Sequence, residues 1–178
     1  DNDRDVPDGT PGELVTRGPY TIRGYYNAPE KNNEAFLPGG WYRMGDIVRR
    51  QGRYVYTEGR RKDLINRGGE KISCEEVENL IFAHPKVQAV ALVAMPDPVF
   101  GEKACAFVIP KQGQTLDLPE LVAFLRQQHI ASFKLPERLE LVSAFPQSPV
   151  GKIMKRELRE RLLASPSRPG AAFSDTPG

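Results

Sequence analysis

Apolar and polar residues alternate with a period of two through Glu13-Leu14-Val15-Thr16-Arg17 and again through Tyr20-Thr21-Ile22-Arg23, the spacing of half-buried strands. Pro29 to Phe36 predicts a short polar helix, Gly39-Gly40 breaks the chain, and Trp41-Tyr42-Arg43 begins a new extended segment. Asp46 to Arg50 and Arg53 to Thr57 flank Gln51-Gly52, and two β-branched and aromatic runs about a glycine-containing turn predict a hairpin. The pattern changes at Gly59-Arg60-Arg61-Lys62-Asp63, which holds no apolar side chain and reads as a linker or hinge. Beyond it, Ser73 followed three residues later by Glu76 makes a capping box, and Val77, Leu80 and Ile81 supply one apolar helix face ending near His84-Pro85. Val87 to Met95 and Ala104 to Ile109 read as buried strands. Asp117 and Glu120 bracket Pro119 at the start of a second helix, with Leu121, Phe124 and Leu125 on one face. Arg138 to Val142 predicts a further strand, and Leu158, Leu162 and Leu163 mark a last helix. This order predicts an α+β domain with helices packed on a small sheet. From Ser165 onward Pro, Ser, Gly and Ala leave little to bury, so a disordered tail over 165–178 is expected.

Composition narrows the possibilities. The chain has 178 residues, 39% hydrophobic and 27% charged, within the range of ordinary soluble domains. Lys and Arg number 25 against 23 Asp and Glu, a formal charge of +2, which excludes a strongly basic nucleic-acid arm. No run approaches the roughly 18 to 20 apolar residues of a membrane span. The acidic start Asp1-Asn2-Asp3 lacks the order of a signal peptide, so a cytoplasmic protein is expected, with neither membrane nor nucleic acid as partner. Cys74 and Cys105 are the only cysteines and have no Cys/His cluster about them; they read as small buried apolar residues, with no metal site.

Short catalytic motifs such as the phosphate-binding G-x-x-x-x-G-K-[ST] and the nucleophile elbow are absent. Three segments combine glycine with charge in predicted loops. In Tyr42-Arg43-Met44-Gly45-Asp46 a carboxylate follows glycine at a strand; it can accept hydrogen bonds from two adjacent hydroxyls, as in a ribose diol, or simply close a turn. In the segment from Gly59 to Ile72, Arg and Lys can meet phosphate oxygens and Gly68-Gly69 lets backbone approach a ligand, while the same residues also suit a solvated linker. Ser148-Pro149-Val150-Gly151-Lys152-Ile153-Met154-Lys155-Arg156 carries a lysine in a punctuated loop before a basic helix. That lysine can be a point charge for a developing anion or a solvated surface group.

Taken in order, Gly12-Glu13-Leu14 through Gly24-Tyr25-Tyr26, the segment ending at Asp46, the segment from Gly59-Arg60 through Gly68-Gly69, and Pro149-Val150-Gly151-Lys152 resemble successive late motifs of the acyl-adenylate-forming superfamily. The resemblance runs over roughly residues 9 to 164, and four motifs in order are far more specific than one. Within the superfamily, Thr16 to Tyr26, Ile65 to Lys71 and Gly101-Glu102-Lys103 look most like stand-alone aryl-acid adenylating enzymes of siderophore pathways, which act on 2,3-dihydroxybenzoate or salicylate.

The resemblance implies a ligase that joins the acid to ATP as an acyl-adenylate, with Mg²⁺, and then passes the acyl group to the phosphopantetheine thiol of an aryl carrier protein. It implies that Asp46 binds the ribose hydroxyls, that Arg60 contacts the nucleotide, that Lys62 is the hinge position and also lies near the nucleotide, and that Lys152 reaches the α-phosphate and the acyl carboxylate. Arg67 is implied on the nucleotide side, with Gly68 and Gly69 beside the pantetheine channel. It further implies that 1–58 is the β-rich end of a large N-terminal domain, a distorted β-barrel subdomain, that 59–62 is the hinge, and that 63–164 is a mobile C-terminal α+β domain. The phosphate loop and acid pocket of that family, which carry most of the ATP and Mg²⁺ contacts, have no counterpart in these residues, so a fragment inactive alone is expected. Two other expectations stand beside this one: the same portion of an acyl-CoA synthetase using CoA, and a non-catalytic interaction module that binds protein or RNA.

Overall fold

A computed structural model describes residues 4–164, and the chain divides into two compact units between Lys62 and Asp63. The expected tail over 165–178 lies outside the described residues. No described helix is long and apolar enough to cross a membrane.

The first unit is built on β3 (Trp41–Gln51). On one side β3 pairs antiparallel with β1 (Pro11–Thr16); on the other it pairs with β2 (Phe36–Leu37) near its start and with β4 (Tyr54–Arg60) along its end. The short helix α1 (Pro29–Ala35) precedes β2 and begins with proline, whose fixed φ suits a first helical turn. These strands form an open sheet and not the closed barrel expected from the resemblance. Tyr20–Arg23 is not a strand either. Gly18-Pro19 opens a turn closed by the Thr21 N–H on the Gly18 carbonyl at 3.0 Å, and Pro19 has no N–H to give a ladder. The hairpin forms as expected, but Gln51 pairs with Tyr54, so the turn is Gly52-Arg53, with Gly52 at φ 60. Gly59 and Arg60 extend β4 instead of forming a linker, and Arg61–Asp63 is a 3-10 turn.

The second unit holds every buried residue among those described. Its sheet centres on β8 (Gly101–Pro110), which pairs antiparallel with β7 (Val87–Asp97) and parallel with β9 (Arg138–Leu141). A hairpin of β5 (Leu64–Arg67) and β6 (Glu70–Ser73) joins β8 through Arg67 and Gly101. Alternation along the central strands divides the core. Leu92, Ala104, Ala106 and Val108 face one cluster with helices α2 (Cys74–Phe82) and α3 (Leu118–Gln127), through Val77, Ile81, Leu121 and Leu125. Ala91, Val93, Cys105 and Phe107 face a second cluster with Leu158 and Leu162 of α4 (Lys155–Ala164). Both faces being covered, β7 and β8 read as near-continuous apolar runs, and each fully buried Leu or Ile contributes about 1.5–3 kcal/mol.

Of the capping box expected at Ser73 one half is seen, Ser73 Oγ accepting the Glu76 N–H at 3.3 Å while the Glu76 carboxylate pairs with Lys134, and at the expected start of α3 Asp117 Oδ1 accepts the Glu120 N–H at 2.8 Å, each worth about 1 kcal/mol. Of the three leucines that mark the last helix, Leu158 and Leu162 are buried at i and i+4, and Leu163, off that stripe, is 61% exposed. The β5–β6 hairpin stands where a polar loop was expected.

Candidate functional site

Asp46 and Arg60 face each other across β3 and β4, with Arg60 Nε 3.2 Å from Asp46 Oδ1. A bulge in β4 produces this: Ile47 pairs with Gly59 but Val48 pairs with Thr57, so Glu58 is an extra residue and Arg60, not Gly59, comes opposite Asp46. A second irregularity lies on the other side of β3. Pairing with β1 jumps from Ile47 opposite Glu13 to Arg43 opposite Val15, so four residues of β3 span two of β1. Gly45 sits in the bulge at φ 75, a conformation side chains resist. Asp46, one residue on, pairs with Arg60 on the β4 side, while Arg43 reaches Glu13 on the β1 side at 2.5 Å. A carboxylate has about four acceptor sites, so the pairing through Oδ1 leaves Asp46 capacity for hydroxyl donors. Nearby on β3, the Tyr42 hydroxyl shares a 2.9 Å hydrogen bond with that of Tyr25, which with burial raises the Tyr42 phenol above its ordinary range. Asn32 fixes Tyr25 from α1: its Oδ1 accepts the Tyr25 N–H at 2.6 Å and its Nδ2 donates to the Tyr25 carbonyl at 2.9 Å.

Lys62 is the middle residue of the 3-10 turn. Before it, Arg61 is tied to β1, its Nη1 donating to Glu13 Oε2 at 3.0 Å. Arg67 ends β5 opposite Glu70, and Gly68 and Gly69 form the turn of the β5–β6 hairpin, both at positive φ, 58 and 97. The guanidinium of Arg67 lies 4.0 Å from the Phe100 ring centroid and donates to Glu137 at 2.7 Å.

Lys152 is exposed, on a tight hairpin closed by a bridge between Gln147 and Ile153. The Gly151 N–H donates to the Ser148 carbonyl at 2.8 Å, the Ser148 N–H to the Lys152 carbonyl at 2.9 Å, and the Lys152 N–H to Ser148 Oγ at 3.2 Å. Pro149 and Val150 are the central residues of this turn, and Gly151 follows at φ 79. Ile153, next in sequence, packs against the cluster under α4, so the hairpin is anchored beside its lysine.

The fold thus pairs Asp46 with Arg60 in the first unit and gathers Arg67, Gly68 and Gly69 into one turn of the second, with Lys152 on a separate hairpin. Lys62 stands at the junction of the units. Sequence reasoning did not single out Phe100 or Glu137; the signal available was an aromatic residue directly before Gly101-Glu102-Lys103. Among the described residues no three of His, Cys, Asp and Glu gather where they could hold a metal ion. Cys74 and Cys105 are buried as expected, and burial pushes each thiol up to about 12.

Residues 76–152 match the family described as the AMP-binding enzyme C-terminal domain. The chain is 54% identical over 164 residues to 2,3-dihydroxybenzoate-AMP ligase of Bacillus subtilis, covering 91% of this chain and 30% of that relative. It is 56% identical over 160 residues to pyochelin synthase PchD of Pseudomonas aeruginosa, covering 89% and 29%. Its fold is similar to crystalline ATP-bound MatB from Rhodopseudomonas palustris, with a TM-score of 0.77, 34% identity, and coverage of 88% of this chain and 31% of that one. The chain therefore spans about 30% of the length of the curated relatives it matches.

Proposed function

We propose that the chain, whose residues 76–152 match the AMP-binding enzyme C-terminal domain, is the C-terminal part of an aryl-acid adenylating ligase acting in siderophore synthesis. The acid is 2,3-dihydroxybenzoate or salicylate, ATP is the co-substrate, and the acyl acceptor is the phosphopantetheine thiol of an aryl carrier protein. Residues 1–58 then belong to a large adenylating domain, 59–62 form a hinge, and 63–164 are the mobile small domain. Such a ligase draws on the ATP pool and works in the cytoplasm.

In the first half-reaction the acid's carboxylate oxygen bonds to the α-phosphorus of ATP and pyrophosphate leaves. The difficulty is electrostatic, since an anion must approach an anion. Lys152, in this proposal, lowers that barrier as a preorganised positive charge near the α-phosphate. Asp46 accepts hydrogen bonds from the ribose hydroxyls through the acceptor sites that Arg60 leaves open, and Arg60 fixes the orientation of that carboxylate while remaining near the nucleotide. Lys62 and Arg67 add positive charge on the nucleotide side. Among the described residues no three of His, Cys, Asp and Glu gather to hold the accompanying Mg²⁺. In the second half-reaction the thiol sulfur attacks the acyl carbon and AMP leaves; the Arg67-Gly68-Gly69 turn forms a wall of the thiol's approach, with Gly69 open to a passing arm.

The observation that carries this reading is Lys152, the last residue of the matched domain, held exposed on a hairpin too tight to wander. The experiment is acid-dependent ATP–pyrophosphate exchange by the complete gene product, followed by acyl transfer to holo carrier protein or to CoA. Exchange with an aryl acid and transfer to the carrier supports the proposal. Transfer to CoA alone makes it the corresponding part of an acyl-CoA synthetase, and the absence of exchange with any aryl acid overturns it.

A further inference from the structure

The β5–β6 turn is gripped from outside its own hairpin. Phe100, at the end of the loop between β7 and β8, presents its ring to Arg67 at 4.0 Å and to Lys103 Nζ at 5.4 Å. Its carbonyl accepts the Gly68 N–H at 2.8 Å. A Cβ on Gly68 would stand 3.1 Å from Phe100 Cδ1, so the space beside Gly68 is filled by this ring, whereas nothing lies within 4 Å of a Cβ on Gly69. Glu137, just before β9, accepts from Arg67 at 2.7 Å and has Lys103 at 3.7 Å. Phe100 is itself fixed, because Asp97 accepts its N–H at 2.9 Å and pairs with Lys103 at 2.9 Å.

A two-residue glycine turn on its own has wide backbone freedom. Here three connections from other parts of the chain remove it: a ring against Gly68, a carbonyl on its N–H, and an ion pair on the preceding Arg67. The side left open is Gly69. We propose that Phe100 and Glu137 are positioning residues that clamp the Arg67-Gly68-Gly69 turn in a single shape, with Gly69 outward, for the thiol-transfer half-reaction. This rests on the reading that the turn forms a wall of the thiol's approach. The clamp touches neither Lys152 nor the Asp46–Arg60 pair, and Arg67 keeps its charge when either clamp residue is changed, so the principal effect falls on transfer. A misplacement of about 1 Å in such a wall costs on the order of 10²-fold in rate, so a loosened turn lowers turnover at least several-fold.

The test uses the complete gene product with Phe100→Leu, Glu137→Gln and, as the conservative change, Phe100→Tyr. The expected results are faster amide hydrogen exchange at Gly68 and Gly69 in the first two variants, unchanged protection at Leu92, and about tenfold lower kcat for acyl transfer with KM for the acceptor held. Pyrophosphate exchange stays within about twofold of the parent, and Phe100→Tyr restores both transfer and Gly68 protection. Unchanged exchange at Gly68 in both disruptive variants overturns the clamp, as does equal loss of the two half-reactions or a rise in acceptor KM alone. A parent without any aryl-acid adenylation removes the ligase reading instead, and the amide exchange then still decides whether the clamp exists.

Discussion

A lone exposed lysine is ordinarily a solvated charge, and Lys152 differs in what holds its backbone. Three hydrogen bonds from Ser148 and Gly151 close the hairpin around it, and Ile153 is anchored in the cluster under α4. A charge placed so needs little reorganisation when an anion arrives. Lys152→Ala is therefore expected to reduce adenylation on the order of 10² to 10³-fold while transfer from supplied acyl-adenylate continues; stopped-flow measurement of the two steps separately checks it, and equal loss of both counts against the assigned role. Asp46, Arg60 and Lys152 become candidates through the order of the glycine-bearing segments that hold them, since each alone also suits a turn, a linker or a solvated surface. Their partners are not legible in the sequence. That Arg60 meets Asp46 depends on the extra residue of β4 at Glu58, and a one-residue change of register turns every side chain to the opposite face. Phe100 is a hub only because β8 brings Gly101 against Arg67, a long-range pairing with no local signature.

Elements with a strong local rule were legible and those without one were not. The caps of α2 and α3 each rest on a side chain three residues from the N–H it satisfies. The β5–β6 hairpin has only Leu64, Ile65 and Ile72 as apolar residues and is fixed by its neighbours, so its sequence resembles a polar loop. The turn after α2 shows a further consequence of packing. His84 is 4% exposed, edge-on to Phe124 at 4.6 Å, and its Nδ1 accepts the Lys86 N–H at 3.2 Å. Burial holds its imidazole below the ordinary value of 6.5, against the opposing pull of Glu120 and with the help of Lys86 and Lys111. A group with a depressed folded pKa that gains charge on protonation favours the unfolded chain as pH falls, because that chain binds the proton first. Stability from His84 is thus complete above pH 6.5 and declines as pH drops through 6.5 toward the lower folded value. The urea midpoint, followed by the helix signal that α2, α3 and α4 dominate, should fall between about pH 7.5 and about pH 5.5. In His84→Asn, which keeps an acceptor for Lys86 but does not titrate there, that slope should shrink; an equal slope in both proteins would rule His84 out as its source.

At the scale of the molecule, two units with different internal economies meet within a 3-10 turn. The first is a sheet without a buried residue among those described, and the second carries the whole core. Alternating strands look alike in sequence whether or not a second layer covers them, so this contrast was not legible, while the polar run from Gly59 to Asp63 did mark the region of the junction. If the proposed ligase uses its small domain differently in its two half-reactions, the backbone near Lys62 must change torsion between them. Arg61 is held to β1 by Glu13, although an exposed pair of this kind contributes only about 0–1 kcal/mol, and Lys62 follows it as the middle residue of the 3-10 turn. Proline at 62 fixes φ near −65°, removes the N–H and disfavours helical torsions at Arg61. Lys62→Pro should therefore leave one half-reaction within about twofold and slow the other by about tenfold or more, with the fold of each unit retained, as amide protection at Leu92 and Arg49 would report. Unchanged rates for both half-reactions would show that no turning at Lys62 separates them, and a loss of protection at Leu92 would assign the effect to unfolding instead.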